Sequence, residues 1–431
     1  MITELRLENW KSYEKSSLHI DPLTVLIGTN ASGKSNALDA FIFLHRIASG
    51  TMLTTALKGE DKALPAMRGG VDWAAQRPGS KFAVGAIFKA DESTDYEYRI
   101  ECRVSENRCD VTSEQLIRKK YRTNKDKERM PLSGGVHLFK TDPCQDMAPN
   151  VVARLYNGTK GTPKVLGRTH AVLFQLDGQK LRQEIQDGVT LAISRLKEIF
   201  YLDPIPSHMR DYLPLSDKLA SDARNIAGVI AALPKAQQGE IERVLTQYAS
   251  RLPERDIRRV YAETVGKFNS DAMLYCDEDW QGMGEPHTVD ARGMSDGTLR
   301  FLAILTALLT RPKGSLLVVE EIDNGLHPSR ASMLLEMLKT VGAEREVDVL
   351  VTTHNPALLD AMGTGMIPFI TIAYRDRTTG HSVLKLLEDI KQLPQLLAQG
   401  TVGRLSSKGL IEGSLQQQSF DFEALIEPGN V

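Results

Sequence analysis

The sequence predicts an α/β protein whose parallel core sheet draws strands from both ends of the chain. Three segments predict it: an apolar strand, glycine-rich turn and amphipathic helix in direct succession in "PLTVLIGTNASGKSNALDAFIFL"; a four-residue apolar run closed by two glutamates in "LLVVEEIDNGLHP"; and a further apolar run ending in polar residues in "VDVLVTTHNPALLDAM". Leu316, Leu317, Val318 and Val319 show no polar alternation, which marks a strand covered on both faces.

The first segment, from Gly28 to Ser35, fits the full G-x-x-x-x-G-K-[ST] pattern. A strand before it and a helix after it separate it from an ordinary glycine-containing turn. The glycines let backbone N–H groups face a phosphate, the helix N-terminus adds its dipole, Lys34 reaches the terminal phosphates and Ser35 gives an oxygen to Mg²⁺. Gly28, Asn30, Ser32, Gly33, Lys34, Ser35 and Asn36 are the candidate nucleotide contacts here, with ATP and Mg²⁺ as ligands.

The second segment raises a charge problem that the first resolves. Two adjacent carboxylates at the end of an apolar strand need partners, because a buried unpaired carboxylate is costly or takes up a proton. Opposite a phosphate loop, Glu320 can hold Mg²⁺ through its waters and Glu321 can orient an attacking water.

Between these lies "ARGMSDGTLRFLAILTALLT", a small turn at Ser295, Asp296, Gly297 and Thr298 followed by a helix with Leu299, Leu302, Ile304 and Leu305 on its apolar side. The turn reads either as an N-cap or as a second phosphate-binding helix start. His354, closing the third segment, is placed to sense a terminal phosphate.

Residues from about 58 to 175 alternate in short bursts, as in "KFAVGAIFKA" and "YEYRIECRV", and predict an antiparallel β lobe. From about 176 to 312, "LKEIF", "NIAGVIAAL" and "EIERVLTQY" have helical spacing. The expected organisation is a first core segment 1–57, a β lobe 58–175, a helical subdomain 176–312, a second core segment 313–390 and a helical tail 391–431. No sustained heptad repeat predicts a long coiled coil.

With 53 basic and 55 acidic side chains in 431 residues, net charge gives no sign of a dedicated nucleic-acid or membrane binder. The run from Arg118 to Arg129 is basic but contains acids and suits a solvated hairpin loop ahead of a DNA contact; Arg210 is a second candidate contact. Four cysteines without metal-ligand spacing suit reduced thiols. Glu4 and Glu8 stand where a signal peptide needs an apolar core, and "FLAILTALL" is too short to span a membrane, so a cytoplasmic location is expected.

Together "GTNASGKSN", "SDGTLR", "VVEEIDNGLHP" and "TTHNP" resemble the ABC-type ATPases of the RecF, SMC and overcoming-lysogenization-defect (OLD) group. The chain is most similar to the short bacterial OLD-like, AAA-type ATPases of anti-phage and DNA-repair operons. The opening hairpin "ITELRLENWKSYEKSSLHI", "YLDPIPSHMRDY" and "LLAQGTVGRLSSKGLIE" share in the resemblance.

The resemblance implies a P-loop NTPase of ABC type, with a RecA-like core, an antiparallel β lobe and a helical signature subdomain. Ser295 and Gly297 would cap the γ-phosphate bound by a second subunit, Glu321 would be the general base and His354 the switch. Gln175, in "HAVLFQLDGQ", would be the Q-loop glutamine near Mg²⁺, and Lys11 and Ser12 would line the nucleotide. It further implies a homodimer with ATP between its heads, open to higher assembly, a separate effector such as a nuclease or toxin, DNA as a candidate partner and no membrane. Glu320 departs from the usual Asp, and Asp296 stands where a transporter signature has Gly and is expected to cap the helix.

Beyond His354 no Toprim carboxylate set is recognisable, and "RDRTTGH" suits a hairpin, so no nuclease is expected. A transporter subunit is the first competing function, opposed by the missing LSGGQ-type sequence. An ATP-binding scaffold with little turnover is the second, opposed by Glu321.

Overall fold

The computed structural model describes residues 1–61, 64–123, 129–132, 134–144, 148–156, 160–252, 257–279, 286–325 and 327–423. Its central sheet has six strands in the order Ile199–Leu202, Leu316–Val319, Asp348–Thr352, Leu23–Ile27, Ile370–Arg375 and Ser382–Leu386. The first five run parallel and the last turns back antiparallel. Leu23–Ile27, Leu316–Val319 and Asp348–Thr352 are buried throughout, including their polar members Thr24, Asp348 and Thr352, as strands covered on both faces are. This is the expected α/β core, drawn from both ends of the chain.

The helix after the phosphate loop, Lys34–Ala48, joins this core to a nine-stranded antiparallel sheet through Trp10, Phe43 and Phe82, whose ring centroids lie 5.0 to 5.7 Å apart. That sheet begins earlier than residue 58. Ile2–Trp10 pairs with Tyr13–His19 on one side and Lys81–Asp91 on the other, so the opening hairpin belongs to the β lobe. The alternation is the cause: Leu5 and Leu7 point into the core, while Glu4, Arg6 and Glu8 form an outer charged row with Glu97 and Arg99.

The region expected to be helical from 176 to 312 differs in two ways. The helix Gln183–Lys197 packs on the β lobe, where Gly188 lets it approach Leu138 and Tyr96, and Ile199–Leu202 is the edge strand of the core sheet. The rest mixes the helices Ile226–Ala232 and Lys235–Ala249 with an antiparallel sheet of Leu213–Pro214, Asp271–Glu278, Ile257–Val265 and His287–Asp290.

The basic run is embedded in sheet, with Lys119 paired to Glu97 at 2.5 Å and Arg129 to Asp95 at 2.8 Å; residues 124–128 of it lie outside the described residues. No helix among the described residues is long and apolar enough to cross a membrane. None of the four cysteines is joined in a disulfide.

Glu114 in the β lobe is fully buried and receives hydrogen bonds from Val172 N–H and Leu173 N–H at 2.7 Å and from the Tyr98 hydroxyl at 3.0 Å. Burial pushes its carboxyl up from 4.5 to about 7 against the pull of these donors. The folded chain therefore keeps a proton that the unfolded chain releases, and this contribution to stability is complete below pH 4.5 and lost as pH rises through about 7. Relative to wild type, Glu114→Gln should gain on the order of 3 kcal/mol between about pH 5 and pH 8. Urea unfolding at the two pH values checks it; a wild-type-minus-variant difference independent of pH would sink the assignment.

Candidate nucleotide site

The phosphate loop leaves the buried strand Leu23–Ile27 at the carboxyl edge of the sheet. Gly28 and Gly33 hold φ values of 146° and 113°, where a side chain is strained. Both are also hemmed in: a Cβ on Gly28 would lie 2.1 Å from the Ala373 carbonyl oxygen, and one on Gly33 would lie 2.5 Å from Ser382 Oγ. The following helix has no side-chain cap, which leaves its first N–H groups open to an anion. Lys34 Nζ arches over the loop, donating to the carbonyls of Gly28 at 2.6 Å and Thr29 at 3.0 Å. Asn30 is exposed at the tip; Ser32 is buried, and its hydroxyl makes no hydrogen bond among the described residues.

The glutamate strand brings Glu320 onto this loop, where the Ser35 hydroxyl donates a short hydrogen bond to Glu320 Oε1. Arg68 grips both carboxylate oxygens, at 3.2 and 2.6 Å, and the Tyr201 hydroxyl donates to Oε2 at 2.8 Å. Burial opposes ionisation of Glu320, yet the hydrogen bonds from Arg68, Ser35 and Tyr201 hold it below the usual carboxylate range. Burial likewise lowers the Lys34 ammonium, countered by Glu321, then Glu320, then Glu412 of the helix Leu410–Glu423. Ser35 Oγ touching an ionised carboxylate is a hard-oxygen pair of the kind Mg²⁺ takes, so the residues present fit the ion, and the extra methylene of Glu320 does not keep it from Ser35.

Glu321 turns away from the strand at a φ of 48°, a left-handed value unusual outside glycine, and its side chain is exposed. Its N–H donates to Thr352 Oγ1 at 2.8 Å, while the Thr353 hydroxyl donates to Asp323 at 2.6 Å. These bonds lock the glutamate turn to the end of the neighbouring strand, where the exposed His354 follows directly. Strain of about 1–3 kcal/mol held by its surroundings is characteristic of functional turns.

At the signature turn, Ser295 is the cap: its Oγ accepts the Thr298 N–H at 3.1 Å. Asp296, expected to cap, is one residue too late to do so and instead takes Arg210 at 2.5 Å. Ser295 faces solvent, whereas Gly297 is buried, and a Cβ there would lie 2.7 Å from Arg330 Nη1 and 2.8 Å from the Gly325 oxygen. Glycine thus seats the helix start against the loop that follows Glu321.

Several expected contacts are employed elsewhere. Gln175 lies in the short helix Val172–Leu176, and its amide bonds Gly167 and the His170 carbonyl. Lys11 is buried against Asp39 and the Arg68 carbonyl. Asn36 donates to Ser12, which also receives Ser382 at 2.8 Å, so both brace the hairpin to the loop. Arg210, a candidate DNA contact, is committed to the signature turn.

Arg68 and Tyr201, neither of them among the residues expected at the site, both hold Glu320. With Asp203 they line a cavity of about 500 Å³ beside the loop helix. Tyr201 and Asp203 lie within the "YLDP" of the resemblance; Arg68, 252 residues from Glu320, carried no local signal.

Two family models match the chain: "AAA ATPase domain" over residues 1–129 and "AAA domain, putative AbiEii toxin, Type IV TA system" over residues 179–360. The chain is similar to AAA-type ATPase domains over most of its length. Among solved structures it is similar to an SMC head bound to the C-winged helix domain of ScpA, at 16% identity and a TM-score of 0.49, covering 89% of this chain and 96% of that one. An SMC head with an extended coiled coil, bound to the C-terminal domain of ScpA derived from Pyrococcus furiosus, matches at 13% identity and a TM-score of 0.48, covering 92% and 99%. The SMC head domain from Thermotoga maritima gives 13% and 0.40, covering 89% and 98%. No curated protein sequence matches significantly.

Proposed function

We propose that the chain is a Mg²⁺-dependent ATPase that closes head to tail with a second copy around two nucleotides. One observation carries the reading: Ser35 and Glu320 meet beside Lys34, while Glu321 stands next in the chain in a backbone pose fixed by Thr352. In this reading the loop amides and Lys34 bind the phosphates, and Glu321 accepts the proton of the attacking water. Mg²⁺, when bound, neutralises charge on the β- and γ-phosphates, and Ser35 and Glu320 are the residues that would hold it. Arg68 keeps Glu320 ionised and Tyr201 fixes its direction.

Exposure of Ser295 at an N-terminal helix start supports its role in completing the site of the other copy. His354 would register the terminal phosphate at that closed interface. The proposed setting is a cytoplasmic switch in anti-phage defence or DNA repair, acting with a separate effector such as a nuclease or toxin; the toxin-system part of that reading is supported by the similarity of residues 179–360 to a family described as "AAA domain, putative AbiEii toxin, Type IV TA system". DNA would be sensed by the assembled pair.

Ser295→Arg tests the pairing. It should leave nucleotide binding by its own loop nearly intact while reducing hydrolysis at least tenfold, and mixing it with inactive Lys34→Ala should restore part of the activity. In the mixed pair one composite site carries both defects and the other carries neither. Full activity of Ser295→Arg alone would reduce the turn to a helix cap and remove the two-copy reading.

A further inference from the structure

The signature turn is held from outside its own helix by one side chain. Arg210 lies just beyond the short turn Pro206–His208, on the segment that continues from the edge strand Ile199–Leu202, which carries Tyr201 and is followed directly by Asp203. Its Nη1 donates to three carbonyls of the segment leading into the turn, Ala291 and Arg292 at 2.8 Å and Met294 at 2.9 Å, and its Nη2 pairs with Asp296 at 2.5 Å. Three carbonyls converging on one nitrogen define the path of the chain into Ser295 more tightly than the cap bond alone. The Asp296 carboxylate is 68% exposed and lies in the first turn of a helix whose start would face an incoming phosphate. Left unpaired, that carboxylate would repel the phosphate.

We propose that Arg210 is the positioning residue of the signature turn: it fixes the backbone that presents Ser295 and it neutralises Asp296, so that the turn can meet a nucleotide held by a second copy. The proposal rests on the two-copy reading above. Among the described residues Arg210 bonds the segment around Ser295 and not the phosphate loop, so its loss acts on closure and turnover rather than on first binding of ATP. Lysine cannot replace it fully, since an ammonium has no planar fork to reach the carbonyls and Asp296 together.

The test uses the full chain in four forms: wild type, Arg210→Ala, Arg210→Lys and Arg210→Ala combined with Asp296→Asn. Binding of a fluorescent ATP analogue, steady-state hydrolysis and thermal unfolding are measured for each. Nucleotide-dependent pairing is followed by sedimentation in a Glu321→Gln background. Arg210→Ala should bind the analogue within about twofold of wild type, lose at least tenfold in kcat and require at least tenfold more protein to pair. Arg210→Lys should fall between the two, and Asp296→Asn should restore part of the pairing by removing the unpaired charge.

Recovery through a lost carboxylate is something a merely structural role would not produce. Unchanged pairing and kcat in Arg210→Ala overturn the proposal, as does a loss of analogue binding in step with kcat in both Ala and Lys variants. If Glu321→Gln alone never pairs with nucleotide, the two-copy reading falls and takes this proposal with it. If it pairs and the Arg210 variants pair equally well, the positioning role alone falls.

Discussion

Glu321→Gln should bind ATP with near wild-type affinity yet hydrolyse it at least a hundredfold more slowly, because the amide cannot take the proton of the attacking water. The Lys34 loop is untouched, and Gln preserves the shape of the side chain. The left-handed backbone at residue 321 belongs to the turn, and its N–H bond to Thr352 does not use the side chain. Single-turnover hydrolysis alongside equilibrium binding separates the two effects, and accumulation of paired chains with ATP should accompany the slow step. Hydrolysis at the wild-type rate would move the base elsewhere, with Glu320 excluded by its engagement to Ser35 and Arg68.

Lys34→Ala should weaken ATP binding by about 100-fold or more, roughly 3 kcal/mol, since the phosphates lose the loop's own ammonium. The lysine is partly desolvated and its charged form is disfavoured by burial, so its removal should barely lower the unfolding temperature. That combination sets a binding role apart from a scaffolding one. Calorimetric titration with ATP, beside a melting curve, decides it; near-normal affinity with a normal melt contradicts the phosphate-loop assignment. A large drop in melting temperature instead makes the Gly28 and Thr29 contacts structural.

The parts of the site legible in the sequence were those whose chemistry is local. Gly28 to Ser35 is a contiguous device, and the two glutamates close a strand whose burial shows in four successive apolar residues. Arg68 and Tyr201 were not legible, because each acquires its role only when residues 252 and 119 positions away in the chain fold onto it. Gln175 misled for the complementary reason. A glutamine beside an apolar run looks available until the fold surrounds it with the backbone groups of Gly167 and His170. The small sheet at Ile257–Val265 was masked by neighbouring helices with strong periodicity, which drew the whole region to one class.

The interrupted core sheet also sets an order of events during synthesis. The strand under the phosphate loop, Leu23–Ile27, is made long before its two neighbours in the sheet, Asp348–Thr352 and Ile370–Arg375. While the ribosome is still making the signature helix, the complete GKS loop exists without either wall of the sheet it stands on. Two rows of backbone donors and acceptors and an apolar strand must wait uncovered through that interval, a state open to wrong pairing. Under the proposed function, nucleotide held in the manner of the finished protein would require the strand beyond Phe369 to be in place, so that a bound ATP would mark a chain completed through Arg375.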